Sequence, residues 1–191
     1  MSITTQPLPL QHGTWILDPL HCTVEFAARH MAISKVRGRF HEFDATVVVG
    51  ESLEASSLTA RVDMSSVDTD NPDRDAHLRN SDFFHVDRHP EMTFRSTSIV
   101  STGDTTYGVI GDMTINGVTR RERLDVVFHG TETFPGDGSH HAGFEATATI
   151  NRTDYGIDFN VPLAAGGFVI SDRIGIELDI QLVAPQGAID R

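Results

Sequence analysis

Over most of its length this chain alternates apolar and polar residues with a period of two. That pattern commits it to strands, because successive side chains of a strand point to opposite faces. IGIELDIQL, residues 174–182, shows the pattern most cleanly, and CTVEFAARH (22–30) puts Val24, Phe26, Ala28 and His30 on one face. The same alternation runs through FDATVVV (43–49), LTARVDM (58–64), LDVVF (124–128) and AGFEATATI (142–150). Residues 92–100, 106–115 and the short TWILD near the start complete eight or nine strands. Gly/Asp/Asn/Ser clusters such as STGDT, PGDGSHH and NRTDYG punctuate them. The class is therefore all-β, in Greek-key or up-and-down order. A closed antiparallel barrel is favoured because closure removes exposed edges, with a β-sandwich as the alternative.

One segment departs from the pattern. Pro72 followed by DRDAHLRNSDFF has the makings of two helical turns that end before Pro90 and cross one end of the barrel.

Charge and composition then narrow the function. The 191 residues make one domain, read as 13–185, with tails at 1–12 (disordered) and 186–191. There are 27 acidic and 15 basic residues, a net charge of -12, which argues against nucleic acid or an anionic membrane as the main partner. Lys35 is the only lysine, so anion recognition here would fall to arginine. A single cysteine, Cys22, excludes an internal disulfide and a multi-thiolate zinc site. The N-terminus shows neither a basic leader nor an apolar run, and no stretch approaches a membrane span, so a cytoplasmic protein is expected.

The inward faces carry several small residues: Ala142, Ala146 and Ala148, Gly111, and Ser96 and Ser98. An eight-stranded barrel is just wide enough to be filled or to hold one small ligand, and residue size alone does not choose between them.

Read together and in order, several motifs then point to one family. They are W-x-L-D-x-x-H at Trp15–His21, F-x-x-x-H-M-x-I-S-x-V-x-G-x-F at Phe26–Phe40 and R-D-x-H-L-R-x-x-D-F-F at Arg74–Phe84. P-x-M-T-F follows at Pro90–Phe94, G-D-M-T-I-N-G-V-T at Gly111–Thr119, I-N-R-x-D-Y-G-I at Ile150–Ile157 and G-G…D…I-x-L-x-I from Gly166 to Ile180. The chain resembles the YceI-like, lipocalin-like polyisoprenoid-binding proteins across nearly its whole length. The resemblance implies an extended eight-stranded antiparallel barrel whose channel holds an isoprenoid or similar lipid tail, and a homodimer. Cys22, His85 and His89 depart from the family pattern, and the export common in the family does not transfer to a chain lacking a leader.

The His- and Asp-rich stretch DAHLRNSDFFHVDRHP (75–90) admits two readings. His77, His85 and His89, with Asp82 or Asp87, could ligate a metal, but Pro90 disfavours a helical His89. The better reading is structural: Asp75, His77, Arg79 and Asp82 pin the crossing segment while Leu78, Phe83 and Phe84 plug the barrel. No metal and no cofactor is expected. A Cys22–His30 dyad fails locally, since eight residues of extended strand span roughly 26 Å.

The expected activity is binding of an isoprenoid or other long hydrophobic small molecule. At about 0.3 kcal/mol per heavy atom, a chain of about forty carbons could reach roughly -12 kcal/mol. Candidate tail contacts are Phe26, Phe40, Phe43, Val47, Val62, Phe94, Met113, Phe128, Phe144, Ile176, Leu178 and Ile180. For any single one of them, core packing is the simpler account. Candidate head contacts are Arg79, Arg152, His21 and His30, with a salt bridge from Arg152 to Asp154 or Asp172 as the competing reading. Alternatives for the same cavity are a cyclase or isomerase working by shape, and resistance by sequestering an amphiphilic metabolite.

Overall fold

Eight long antiparallel lines of chain, each hydrogen-bonded to the next and the last to the first, close the barrel in up-and-down order. The computed structural model describes residues 9–184. The first three lines are broken into pairs: β1 (Gly13–Leu17) with β2 (Thr23–His30), β3 (Ser34–Phe40) with β4 (Phe43–Val49), and β5 (Ser57–Asp63) with β6 (Val67–Asp68). The other five are continuous: β7 (Glu91–Ser101), β8 (Thr106–Ile115), β9 (Val118–Thr133), β10 (His140–Asn151) and β11 (Ile170–Val183). β11 closes the ring by pairing with β1 through Ile16–Val183 and with β2 from Thr23–Asp179 to His30–Ile170.

Each break is held by side chains that replace the missing ladder bonds. Between β1 and β2 the chain bulges over Gln181, whose N–H donates to Cys22 Sγ at 3.1 Å while Asp18 N donates to its carbonyl at 2.9 Å. The thiol donates back to the same carbonyl at 3.4 Å. Burial pushes the Cys22 thiol up, and its two contacts with the Gln181 backbone make it a peg that holds the bulge. Between β3 and β4, the N–H groups of His41 and Glu42 both donate to Ser66 Oγ, at 3.1 and 3.0 Å. Ser66 ends the one-turn 3₁₀ segment (Met64–Ser66) that separates β5 from β6.

The crossing segment forms α1 (Pro72–Arg79). Asn71 caps it by accepting from Arg74 N, Pro72 occupies the first turn, and Asp73 and Asp75 lie at the positive end of its dipole. Phe83 is buried, and Leu78 and Phe84 pack against the same cluster of barrel residues. Of the tails expected at 1–12 and 186–191, residues 1–8 and 186–191 lie outside the described residues. Residues 9–12 are tied down in part, since Leu10 packs beside Trp15, whose Nε1 donates to Gln11 O at 2.8 Å.

One expectation needs correction, and β3 stands outside the strands expected from alternation. Ser98 does not face inward. The register shifts between Ser96 and Ser98, so Ser96 opposes Gly111 while Ile99, opposite Val109, takes the inward place. β3 carries no obvious alternation because Gly38 occupies its inward face. A side chain there would run into the Phe26 ring, which fills the space instead.

Candidate functional site

Two cavities lie inside the barrel. The larger, about 380 Å³, is under α1. The smaller, about 200 Å³, lies toward the opposite end. Val24, Met92 and Ile176 line both, so these three side chains form the waist that stands between the chambers. The larger falls in the size range of small-molecule pockets.

The smaller chamber is walled by cross-strand apolar side chains, among them Phe43, Val47, Val62, Phe94, Met113, Phe144, Leu178 and Ile180. Its floor is a second packing cluster around Trp15, Val49 and Leu182. Phe128 belongs to that cluster, with its ring 5.2 Å from that of Phe144, but it is not part of the cavity wall.

The larger chamber mixes apolar walls, including Phe26, Phe40, Leu78, Phe83, Ile170 and Ile174, with polar groups held by a buried network. Arg152 follows β10 and is only 4% exposed. Its guanidinium donates to Ile157 O at 2.6 Å, Phe159 O and Asp172 Oδ1 at 2.9 Å, and Ser171 O at 3.1 Å. Five-donor, planar arginine suits such a node. Of the two readings open for Arg152, the geometry therefore realises the bridge to Asp172 and a clamp on segment 157–172. Beside it, Tyr155 is completely buried and donates to Glu122 Oε1 at 2.8 Å. Burial and the facing carboxylate raise its phenol well above the ordinary range. Asp75, also buried, accepts from Thr69 N at 2.9 Å and from Thr69 Oγ1, and Arg74 donates to the same threonine. These are separate nodes, and Thr69, Arg74, Arg152 and Tyr155 come together in the folded chain as lining of the larger chamber.

The remaining head-group candidates are dispersed. Arg79 does not reach the cavity wall: it donates to Ser65 O and Val67 O, both at 2.7 Å, and staples the 3₁₀ break. His21 sits exposed at the β1–β2 bulge against Asp18 Oδ2 at 2.9 Å, a contact that lowers the Asp18 carboxyl. His30, at the end of β2, does border the larger chamber, and its side chain has no hydrogen-bond or ion-pair partner among the described residues. The histidines of 75–90 part company. His77 contacts Asp82 at 2.9 Å and stacks edge-on to Phe83 and Phe159, whereas His85 and His89 face one another with ring centres 6.0 Å apart. Among the described residues, no three His, Cys, Asp or Glu side chains converge as a metal site.

Periodicity alone did not single out Met92, Arg74, Ile170 or Ile174, which also line the walls. The family motifs cover all four positions, but motifs do not say how far a side chain stands from the axis.

The family model for the YceI-like domain matches residues 15–182. A UPF0312 protein of Staphylococcus aureus (strain N315) is 40% identical over 162 residues, spanning 84% of this chain and 91% of that protein. Among solved structures, BcnA of Burkholderia cenocepacia aligns with a TM-score of 0.73 at 21% identity, covering 88% of this chain and 99% of its own. The YceI protein of Campylobacter jejuni aligns at 0.68 and 25% identity, over 83% and 90% of the two chains. A polyisoprenoid-binding domain from Saccharophagus degradans, implicated in plant cell wall breakdown, aligns at 0.68 and 13% identity, over 92% and 100%.

Proposed function

Because this chain belongs to the YceI-like domain family, we propose that it binds one long apolar molecule, a polyisoprenoid or a lipid of similar shape, along both chambers of its barrel and carries or sequesters it. The supporting observation is a pair of apolar chambers, one toward each end of the barrel, that share Val24, Met92 and Ile176 as lining; a chain passing that waist would use both, as a compact ligand would not. The tail lies deep, against Phe94, Met113, Phe144, Leu178 and Ile180, where no polar group competes for it. The head stays at the mouth of the larger chamber beside His30. Arg152 positions that mouth, with four of its five N–H donors engaged by protein oxygens. Flexible Met92 at the waist gives way to a passing chain at low cost.

Native mass spectrometry of the purified protein, with an organic extract run alongside, tests this reading. One long apolar molecule per chain is expected, and a homodimer would be read from the same spectra. Bound material that changes mass or isomer with time would move the function to catalysis. A protein that co-purifies with nothing and takes up no long-chain isoprenoid alcohol on incubation would overturn the proposal.

A further inference from the structure

The mouth of the larger chamber is flanked by two apolar protrusions that ordinary folding does not explain. One is the turn between β2 and β3, where Met31 and Ala32 have φ of 53° and 63°. Left-handed backbone is uncommon for such residues, and hairpin turns of this kind ordinarily use Asn or Gly. Here the strained turn holds Met31 and Ile33 out in solvent, 40% and 77% exposed. The other is the segment FNVPLAAGGFVI, residues 159–170, which contains no charged residue and leaves Val161 and Phe168 47% and 58% exposed. A hydrogen bond from Met31 N to Val169 O, 2.7 Å long, fastens the two protrusions together. His30, Val169 and Ile170, which adjoin them, line the cavity.

The charge around them runs against the rest of the molecule. Arg29 opposes Lys35 across β2 and β3, Arg37 lies two residues further on, and Arg173 stands next to Ile174, whose partner is Ala28. All four are exposed, and none of their side chains has an ion-pair or hydrogen-bond partner among the described residues. Like charges directly opposite one another destabilise a sheet. On a chain of net charge -12, an unpaired basic row beside an exposed apolar tip is a local exception to the bulk charge. The acidic residues Glu25 and Glu177 oppose one another further toward the barrel middle, where Glu25 also faces Arg39 on its other side, and Asp172 is occupied by Arg152.

We propose that this end of the barrel docks on an anionic lipid surface, with Ile33 and Phe168 entering the headgroup layer and Arg29, Lys35, Arg37 and Arg173 facing its phosphates. An apolar wedge ringed by cations matches that chemistry. A second copy matches less well, because a two-fold contact would set the basic row against itself. The net negative charge elsewhere holds the opposite end away from the bilayer. This docking does not depend on what the cavity holds.

Sedimentation of the full chain with vesicles tests it, using equal parts phosphatidylcholine and phosphatidylglycerol against phosphatidylcholine alone. The expected result is pelleting with the anionic vesicles only, weakened by added salt. The pair Ile33→Ser/Phe168→Ser should lower affinity by on the order of tenfold. The pair Lys35→Glu/Arg173→Glu should lower it by roughly fivefold or more per charge. None of these four side chains lines the cavity, and all are exposed, so matched melting curves are expected. No pelleting at low salt, or wild-type binding by both variants, overturns the proposal. So does a wild-type dimer that Ile33→Ser/Phe168→Ser splits into monomers, since the patch then belongs to a second copy. Vesicle binding can fail while a lipid still co-purifies, which separates this inference from the cavity reading.

Discussion

The two chambers of this barrel are built on different principles. The smaller is shaped by cross-strand apolar pairs such as Phe144–Ile180 and Phe94–Met113, whose positions follow from strand register. The larger owes its shape to buried polar groups: Arg152 on four oxygens, Tyr155 on Glu122, and Asp75 on Thr69. Apolar packing is tolerant, because a neighbour can relax into lost volume. A buried polar node is not, because each removed donor strands an acceptor that water cannot reach. The tail end should therefore bend under mutation while the mouth end breaks.

The largest expected effect follows directly. Arg152→Met removes every donor of the clamp and leaves the carbonyls of Ile157 and Phe159 unpaired in the interior. A loss of about 3 kcal/mol is expected, with Lys unable to rescue because it cannot reproduce the planar fork. Denaturant unfolding gives the magnitude. Hydrogen exchange should localise the opening to 157–172 and leave β4, β5 and β7 protected; uniform loss of protection would erase the contrast between the ends.

The next test acts on the waist. Ile176→Trp fills the space shared by the two chambers and should cost about 2 kcal/mol from overpacking. Its more informative readout is ligand length. Short apolar chains should still bind in the larger chamber, while long ones lose affinity by at least an order of magnitude in a competition assay. Equal loss for short and long chains would mean that the chambers do not act in series.

The comparison also shows what the sequence makes legible. Alternation and turn punctuation are local, so most of the strands, the closed barrel and the helix at Pro72 could be read before folding. The family motifs, being ordered along the chain, carried the family. What escaped depended on geometry between distant residues. Gly38 hid β3 because its missing side chain is supplied by Phe26 from the next strand. The bulge at Thr97 reversed Ser98, which periodicity cannot foresee. Arg79 looked like an anion receptor because its acceptors are main-chain carbonyls, which every residue has and no sequence advertises; for Arg152 the bridge to Asp172 was legible, but the three carbonyls beside it were not. The apolar wall residues were named from their face, yet a face does not reveal whether a side chain meets a neighbour or open space; Phe128 and Phe144, directly opposite in register, differ in that respect.

A smaller effect separates the two kinds of construction within one residue. Tyr155→Phe keeps the ring, which is fully buried, and removes only the bond from its hydroxyl to Glu122. About 1 kcal/mol is expected at neutral pH, the usual net worth of such a bond. If burial of the ring is all that matters, the variant will unfold at the wild-type denaturant midpoint.

The smallest effect concerns Asp68 on the outer surface at the mouth end. His41 at 2.9 Å, Asp70 N at 2.9 Å and Arg39 at 3.2 Å hold its carboxyl well below the usual 3.8. A carboxyl depressed in the folded state contributes stability above its unfolded value and loses it as pH falls through the folded one. Asp68→Asn should therefore melt slightly below the wild type at neutral pH, by little because the site is solvent-screened. As pH drops beneath the ordinary carboxylate range, the wild type should lose that advantage and the two melting curves converge. Asp68 fastens β6 to β3 at the edge of the larger chamber with both Arg39 and His41 on its carboxyl, whereas at the apolar end Asp18 is held by His21, Gln181 and the Leu20 N–H. Acid should accordingly loosen the mouth before the floor, visible as earlier exchange in 67–79 than around Trp15. Simultaneous loss at both ends would show that the polar network and the apolar floor unfold as one unit, whatever their different origins.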